Sequence, residues 1–135
     1  MAEPIAVNGL VFYATDVVAS AKLYQKLGFQ ILDQGKGFAN LILNHMLVNF
    51  QDKNNPTDPS FVAEAMSEPK GKGLFIYIQV DDIDEYYQKI QSRGVVPTTA
   101  PRDWPSGNRE FVLVDPDGYK LVFYEARGAH TRQGA

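Results

Sequence analysis

The sequence predicts an α+β fold in which one βαβββ module occurs twice within a single domain. Two observations carry this. The segment LVFYATDVVASAKLYQKLGF, Leu10 to Phe29, is answered by IYIQVDDIDEYYQKIQSRGV, Ile76 to Val95. Each is a short apolar strand, an aspartate, an amphipathic helix and a glycine, and Asp16 to Gly28 is spaced as Asp82 is to Gly94. Such self-similarity marks two copies of one supersecondary unit. Secondly, each copy is followed by further short strand-like runs, so a functional site is expected in a cleft formed by the modules.

Leu10 to Ala14 reads as a strand, and the Asp16 carboxylate can accept the free N–H groups that open a helix. That helix lines up Val17, Ala21, Tyr24 and Leu27 on one face, and Gly28 suits a left-handed end. Strands follow at Phe29 to Asp33, Phe38 to Leu43 and Met46 to Gln51, with Asn44-His45 as a tight turn. The polar stretch DKNNPTDPS opens a linker over 52–72, in which Ser60 is expected to cap a short helix near Phe61 to Met66.

The second module repeats the order. A strand from Leu74 to Val80 leads to a helix with Ile83, Tyr86, Tyr87 and Ile90 on one face, then strands near Val95 to Thr98, Glu110 to Val114 and Lys120 to Tyr124. Asp115-Pro116-Asp117-Gly118 is a strong turn signal between the last two. The modules thus span 7–51 and 73–125, and 126–135 is expected to be a disordered tail.

Composition removes several function classes. A chain of 135 residues, 44% hydrophobic, supports one ordinary core. A net charge of −3 with scattered cations disfavours nucleic acid. The absence of cysteine excludes disulfides, thiolate catalysis and zinc–sulfur sites. No apolar run approaches the roughly 20 residues that span a bilayer, and the start MAEPIAVNGL does not read as a secretory signal. A soluble, cytoplasmic protein is expected.

The βαβββ repeat, the Val80-Asp81-Asp82 helix start and the DPDG hairpin together resemble the vicinal oxygen chelate superfamily, which includes glyoxalase I, extradiol dioxygenases and bleomycin-resistance proteins. The resemblance covers 7–125. It implies curved sheets forming a cleft, completed in a homodimer, with an N-terminal arm that exchanges between partners near Pro4. Metal enzymes of the group carry His, Gln or Glu on the first and last strand of each module. By spacing, those positions here are Gly9, Asn49, Phe75 and Val122. None is a good donor for a divalent ion, and His45 in a turn and His130 in the tail do not replace them. No metal, no cofactor and no catalytic residue is therefore assigned.

Strand alternation sends Val11, Tyr13, Leu47, Asn49, Gln51, Phe75, Tyr77, Gln79, Lys120, Val122 and Tyr124 toward the cleft, and leaves the more apolar set to pack beneath the helices. The chain's only tryptophan, Trp104, stands in a proline-flanked loop before Gly107-Asn108-Arg109-Glu110-Phe111. This resembles the loop of bleomycin-resistance proteins whose aromatic lies close to a Gly-Arg-Glu-Phe sequence, with Asn108 inserted here. By that resemblance, Trp104 and Phe38 would stack on a flat heterocycle, and Asp103 or Glu110 would face a cation. The ligand-binding set is thus Tyr13, Phe38, Asn49, Gln51, Phe75, Tyr77, Asp103, Trp104, Glu110, Val122 and Tyr124. Competing readings are that some of the aromatics pack a dimer interface, that Trp104 anchors its loop, and that Arg109 and Glu110 are surface charges.

The function expected is metal-independent binding and sequestration of a planar or cationic small molecule by a homodimer, with no nucleic-acid or membrane partner. The alternative is a metal-free lyase or isomerase in the same cleft, with Tyr13, Tyr77 or Tyr124 as acid and Glu110 as base. A third reading is a module that only dimerises.

Overall fold

In a computed structural model, which describes residues 2–127, the two copies of the repeat fold to the same topology. The chain divides into two compact units, one ending at Glu68 and one beginning at Pro69. The first contains β1 (Gly9–Ala14), α1 (Val17–Leu27), β2 (Gln30–Gln34), β3 (Phe38–Leu43), β4 (Met46–Asp52) and α2 (Val62–Met66). The second contains β5 (Phe75–Gln79), α3 (Ile83–Ser92), β6 (Arg102–Asp103), β7 (Arg109–Val114) and β8 (Lys120–Glu125). The sheets run β1-β4-β3-β2 and β5-β8-β7-β6. In each, the first and last strands pair in parallel and the other pairings are antiparallel.

Both long helices start and stop by the same devices. The Asp16 carboxylate accepts from Ala19 N–H at 3.0 Å, and that of Asp82 from Glu85 N–H at 3.1 Å. At the C-termini, Phe29 N–H donates back to Tyr24 C=O and Val95 N–H to Ile90 C=O. These bonds close over Gly28 and Gly94, both at positive φ, where a side chain would be strained.

Each sheet has one face covered by its helix. In the first unit Tyr24 of α1 packs edge-on against Phe50, 4.8 Å between centroids, and against Phe29, with Phe12 tilted alongside. In the second, Tyr86 of α3 lies 5.0 Å from Phe123 and Tyr87 meets Phe111 edge-on. Burial of its phenol pushes the Tyr86 pKa upward. Of the residues expected beneath the helices, Phe12, Val48, Phe50, Leu121 and Phe123 are buried and Leu10, Ile76 and Ile78 half-buried, while Val122 and Tyr124 of the opposite parity are buried too.

Two local expectations need correction. No strand forms over Val95 to Thr98; Pro97 lacks an N–H, and Thr98 and Thr99 both donate to Val112 C=O, which breaks a ladder register. Their hydroxyls instead accept from Val114 and Val112 N–H, and the outer strand is the two-residue β6. The cap before α2 is Asp58, whose carboxylate accepts from Ser60 N–H and Oγ at the head of a 3-10 turn, Pro59–Phe61. Of the 126–135 tail, Arg127 is held by ion pairs to Asp84, Asp103 and Glu125, whereas 128–135, including His130, lie outside the described residues.

Candidate functional site

The face of each sheet opposite its helix carries a cavity, and each is described within its own unit. In the second unit, register aligns Tyr77 with Val122 and Val122 with Val112 across three strands, and places Glu110 beside Arg102 on the outer pair. These residues, with Phe75, Trp104 and Ser106, line a cavity of about 380 Å³. Glu110 is only 4% exposed, while Phe75, Tyr77 and Trp104 are 55%, 42% and 39% exposed. A buried carboxylate beside exposed aromatic faces suits a flat group with a positive edge.

Arg102 shows that preference from within the chain. Its guanidinium, itself a planar cation, sits 4.2 Å from the centroid of the Trp104 ring. The loop that carries Trp104 is pinned by Asn108, the residue inserted into the Gly-Arg-Glu-Phe pattern. Trp104 N–H donates to Asn108 C=O at 2.8 Å, and Arg127 N–H donates to the Asn108 side chain. Asn108 is fully buried. Trp104 thus takes part in holding its loop through its backbone, and it also lines the cavity.

In the first unit, a cavity of about 360 Å³ is lined by Gly9, Val11, Leu32, Leu47, Asp33, Asn40 and Asn49, with Leu10, Leu41 and Val48. A row of hydrogen bonds crosses this face. Asn40 Nδ2 donates to Asp33 at 2.9 Å, Asn49 Nδ2 to Asn40 Oδ1 at 2.7 Å, and Gln51 Nε2 to Asn49 Oδ1 at 2.8 Å. Thr57 N–H closes it on Gln51 Oε1 at 3.2 Å. Phe38 and Tyr13 both align with Gln51 in the ladder and share its face. The Phe38 ring lies over Gly35, where an added Cβ would come within 2.6 Å of it.

Of the expected ligand-binding residues, Phe75, Tyr77, Trp104, Glu110 and Val122 line the second-unit cavity. Tyr124 lies beside it, buried and edge-on to Tyr77 at 5.9 Å. Asn49 lines the first-unit cavity, and Tyr13, Phe38 and Gln51 share that open face. Asp103 is the exception. It pairs with Arg109, not Glu110, so it points to the helix side, where Arg109 Nη1 binds it at 3.2 Å. Arg109 also grips Asp84 through Nε and Nη2 at 3.1 Å each, and the two carboxylates hold its pKa above the ordinary value. Arg109 and Glu110 are therefore not a surface pair; alternation sends them to opposite faces. Arg102, Ser106, Asp33 and Asn40 are the residues that sequence reasoning missed.

The four positions that the resemblance assigns to metal donors do not carry side chains that suit an ion. Gly9, Phe75 and Val122 have no side-chain donor atom, and Asn49 offers only a neutral amide that already bonds Asn40 and Gln51. Among the described residues, no three His, Cys, Asp or Glu side chains gather to hold one.

A model of the glyoxalase/bleomycin resistance protein/dioxygenase superfamily matches residues 6–123. The chain belongs to this superfamily. Bleomycin resistance proteins from Geobacillus stearothermophilus and Staphylococcus aureus are 28% identical to it over 120 residues, covering 82% of this chain and 89% of theirs. Among solved structures, a superfamily member from Nocardioides superposes with a TM-score of 0.80 at 20% identity, covering 98% of this chain and 90% of that one. The bleomycin resistance determinant of transposon Tn5 gives 0.64 at 23%, covering 90% and 98%. Lactoylglutathione lyase from Agrobacterium tumefaciens gives 0.65 at 17%, covering 90% and 94%. At such identities these structures show the shared fold alone, and a fold does not fix a function. Among the described residues no helix is long and apolar enough to cross a membrane.

Proposed function

We propose that this superfamily member is a metal-independent binding protein that sequesters a planar, cationic small molecule of the bleomycin type. The observation that carries the reading is the shared cavity of Trp104 and Glu110, walled by Phe75 and Tyr77. Stacking on the indole would supply affinity, and the carboxylate would select a positive edge over a neutral or negative one. The relatives named bleomycin resistance protein support it, as do four metal positions that hold no suitable donor.

Because Trp104 is the only tryptophan, its fluorescence reports on this cavity alone. Titration with a bleomycin-type glycopeptide and a panel of planar cationic dyes is expected to quench it saturably and raise the melting temperature. In Trp104→Phe the signal vanishes and the thermal shift shrinks. Absence of both quenching and thermal shift across the panel would overturn the reading.

A second reading, a metal-free lyase or isomerase, has one observation in its favour: a carboxylate, Glu110, and a phenol, Tyr77, line one cavity. It requires a turnover that Tyr77→Phe abolishes.

A further inference from the structure

Arg127, just past β8, touches both flanks of the Trp104 loop. Ahead of the loop, its Nη1 lies 3.6 Å from the carboxylate of Asp103, the residue before Trp104. Behind the loop, its backbone N–H donates to Asn108 Oδ1 at 3.4 Å. Among the described residues this is the only hydrogen bond of the Asn108 side chain, which is fully buried and whose Nδ2 finds no partner. Losing it would leave both polar atoms of a buried amide unsatisfied, so Asn108 and the Arg127 backbone hold each other in place.

The loop needs such support. Trp104 N–H to Asn108 C=O at 2.8 Å and Gly107 N–H to Trp104 C=O at 2.9 Å close it on itself, which fixes its shape but not its tilt on the sheet. The tilt is left to β6, a two-residue strand at the sheet edge that pairs with β7 at two positions, Arg102 with Glu110 and Asp103 with Arg109. On the helix side of this pair, Asp103 is held by Arg109 at 3.2 Å as well as by Arg127, and both guanidinium groups also reach Asp84 on α3. Arg127 is itself oriented by Glu125. On the other side, Arg102, Trp104 and Glu110 line the cavity. A shift of β6 therefore moves the indole relative to the Glu110 carboxylate.

We propose that Arg127 is a positioning residue for this cavity: a latch that holds the Trp104 loop on the sheet, so that the indole and Glu110 keep the spacing that a planar cation needs. The choice of ligand rests on the function proposed above. The latch is a property of the protein without ligand, so the two can be tested apart.

The test is the fluorescence anisotropy of Trp104 without ligand in the parent, Arg127→Ala and Arg127→Lys, followed by titration of each with ethidium, a planar cation. Arg127→Ala is expected to lower the anisotropy and to weaken ethidium about two- to fivefold, the scale of one or two part-exposed ion pairs, while the melting temperature changes little. Arg127→Lys keeps the charge without the fork and is expected to restore part of both. A merely structural role would move the melting temperature and leave the anisotropy in place. In the parent, salt of about 1 M, where charges are screened beyond ~3 Å, is expected to lower the anisotropy too, and by less in Arg127→Ala. Unchanged anisotropy in Arg127→Ala overturns the proposal, as does lowered anisotropy with ethidium bound as tightly as by the parent. Should Arg127→Ala not fold, a parent that keeps its anisotropy in high salt overturns it equally. If ethidium binds neither protein, the proposed function fails for that class of ligand, while a fall in anisotropy still supports the latch.

Discussion

Arg102 occupies, on Trp104, the place that a planar cation from solution would take, and so competes with it. Removing it should help such a ligand. Arg102→Ala is expected to tighten a cationic dye by about two- to fivefold, from the ~0.5–1 kcal/mol of a partly exposed cation–π contact. The comparison is the dissociation constant by Trp104 quenching in both proteins; weaker binding in the variant would make Arg102 part of the recognition instead. The reason this residue escaped sequence reasoning is local. Phe75, Tyr77 and Val122 sit on regular strands whose period of two assigns their face, and Glu110 was named by its place after the Trp104 loop. Arg102 and Asp103 belong to a two-residue strand reached through an irregular loop, so which of them faces the cavity depends on register with Arg109 and Glu110. Sequence spacing does not supply that register, so the choice between Asp103 and Glu110 stays open until the pairing of Asp103 with Arg109 is known. Asp33 lies likewise beyond a register shift in β2, which hid its approach to Asn40.

At the level of elements, the two aspartate caps and glycine ends were legible because they are local chemistry, readable within a few residues. The outer edge of the second sheet was not, since Thr98 and Thr99 pair through their side chains. One element-scale feature was invisible for a further reason: it joins residues far apart in sequence. Arg109 and Arg127 share Asp84 and Asp103, and Arg127 also binds Glu125, whose other oxygen accepts from Ile83 N–H at the start of α3. The cluster ties α3, β6, β7 and the end of β8 together beneath the Trp104 loop. Arg127 holds the Glu125 carboxyl below its ordinary 4.5, with the Ile83 N–H adding to this and burial opposing it. A depressed carboxyl pKa stabilises the fold above the ordinary value, and the gain is lost as pH falls through the lowered one. The melting temperature is therefore expected to drop on acidification from about pH 5 downward, and Glu125→Gln to be less stable at neutral pH with a shallower acid loss. Parallel profiles for variant and parent would show that Glu125 contributes nothing to the acid transition.

For the whole molecule, the repeat was the most legible feature, because one supersecondary unit written twice returned the same strand order in both sheets. In the described chain Ile5 is 99% and Val7 77% exposed, on an N-terminal segment without regular structure. Apolar side chains presented in that way suit an arm that a second copy covers. Light scattering at micromolar concentration is expected to give about twice the 15.1 kDa chain mass, and a monomer mass would contradict a homodimer. The measurement that bears most directly on sequestration without metal is a calorimetric titration of chelator-treated protein with metal-free bleomycin. Saturable binding at one site per chain, unchanged when the chelator is omitted, is the expected result. No saturation, or binding that returns only when a divalent metal is restored to the protein, would contradict it.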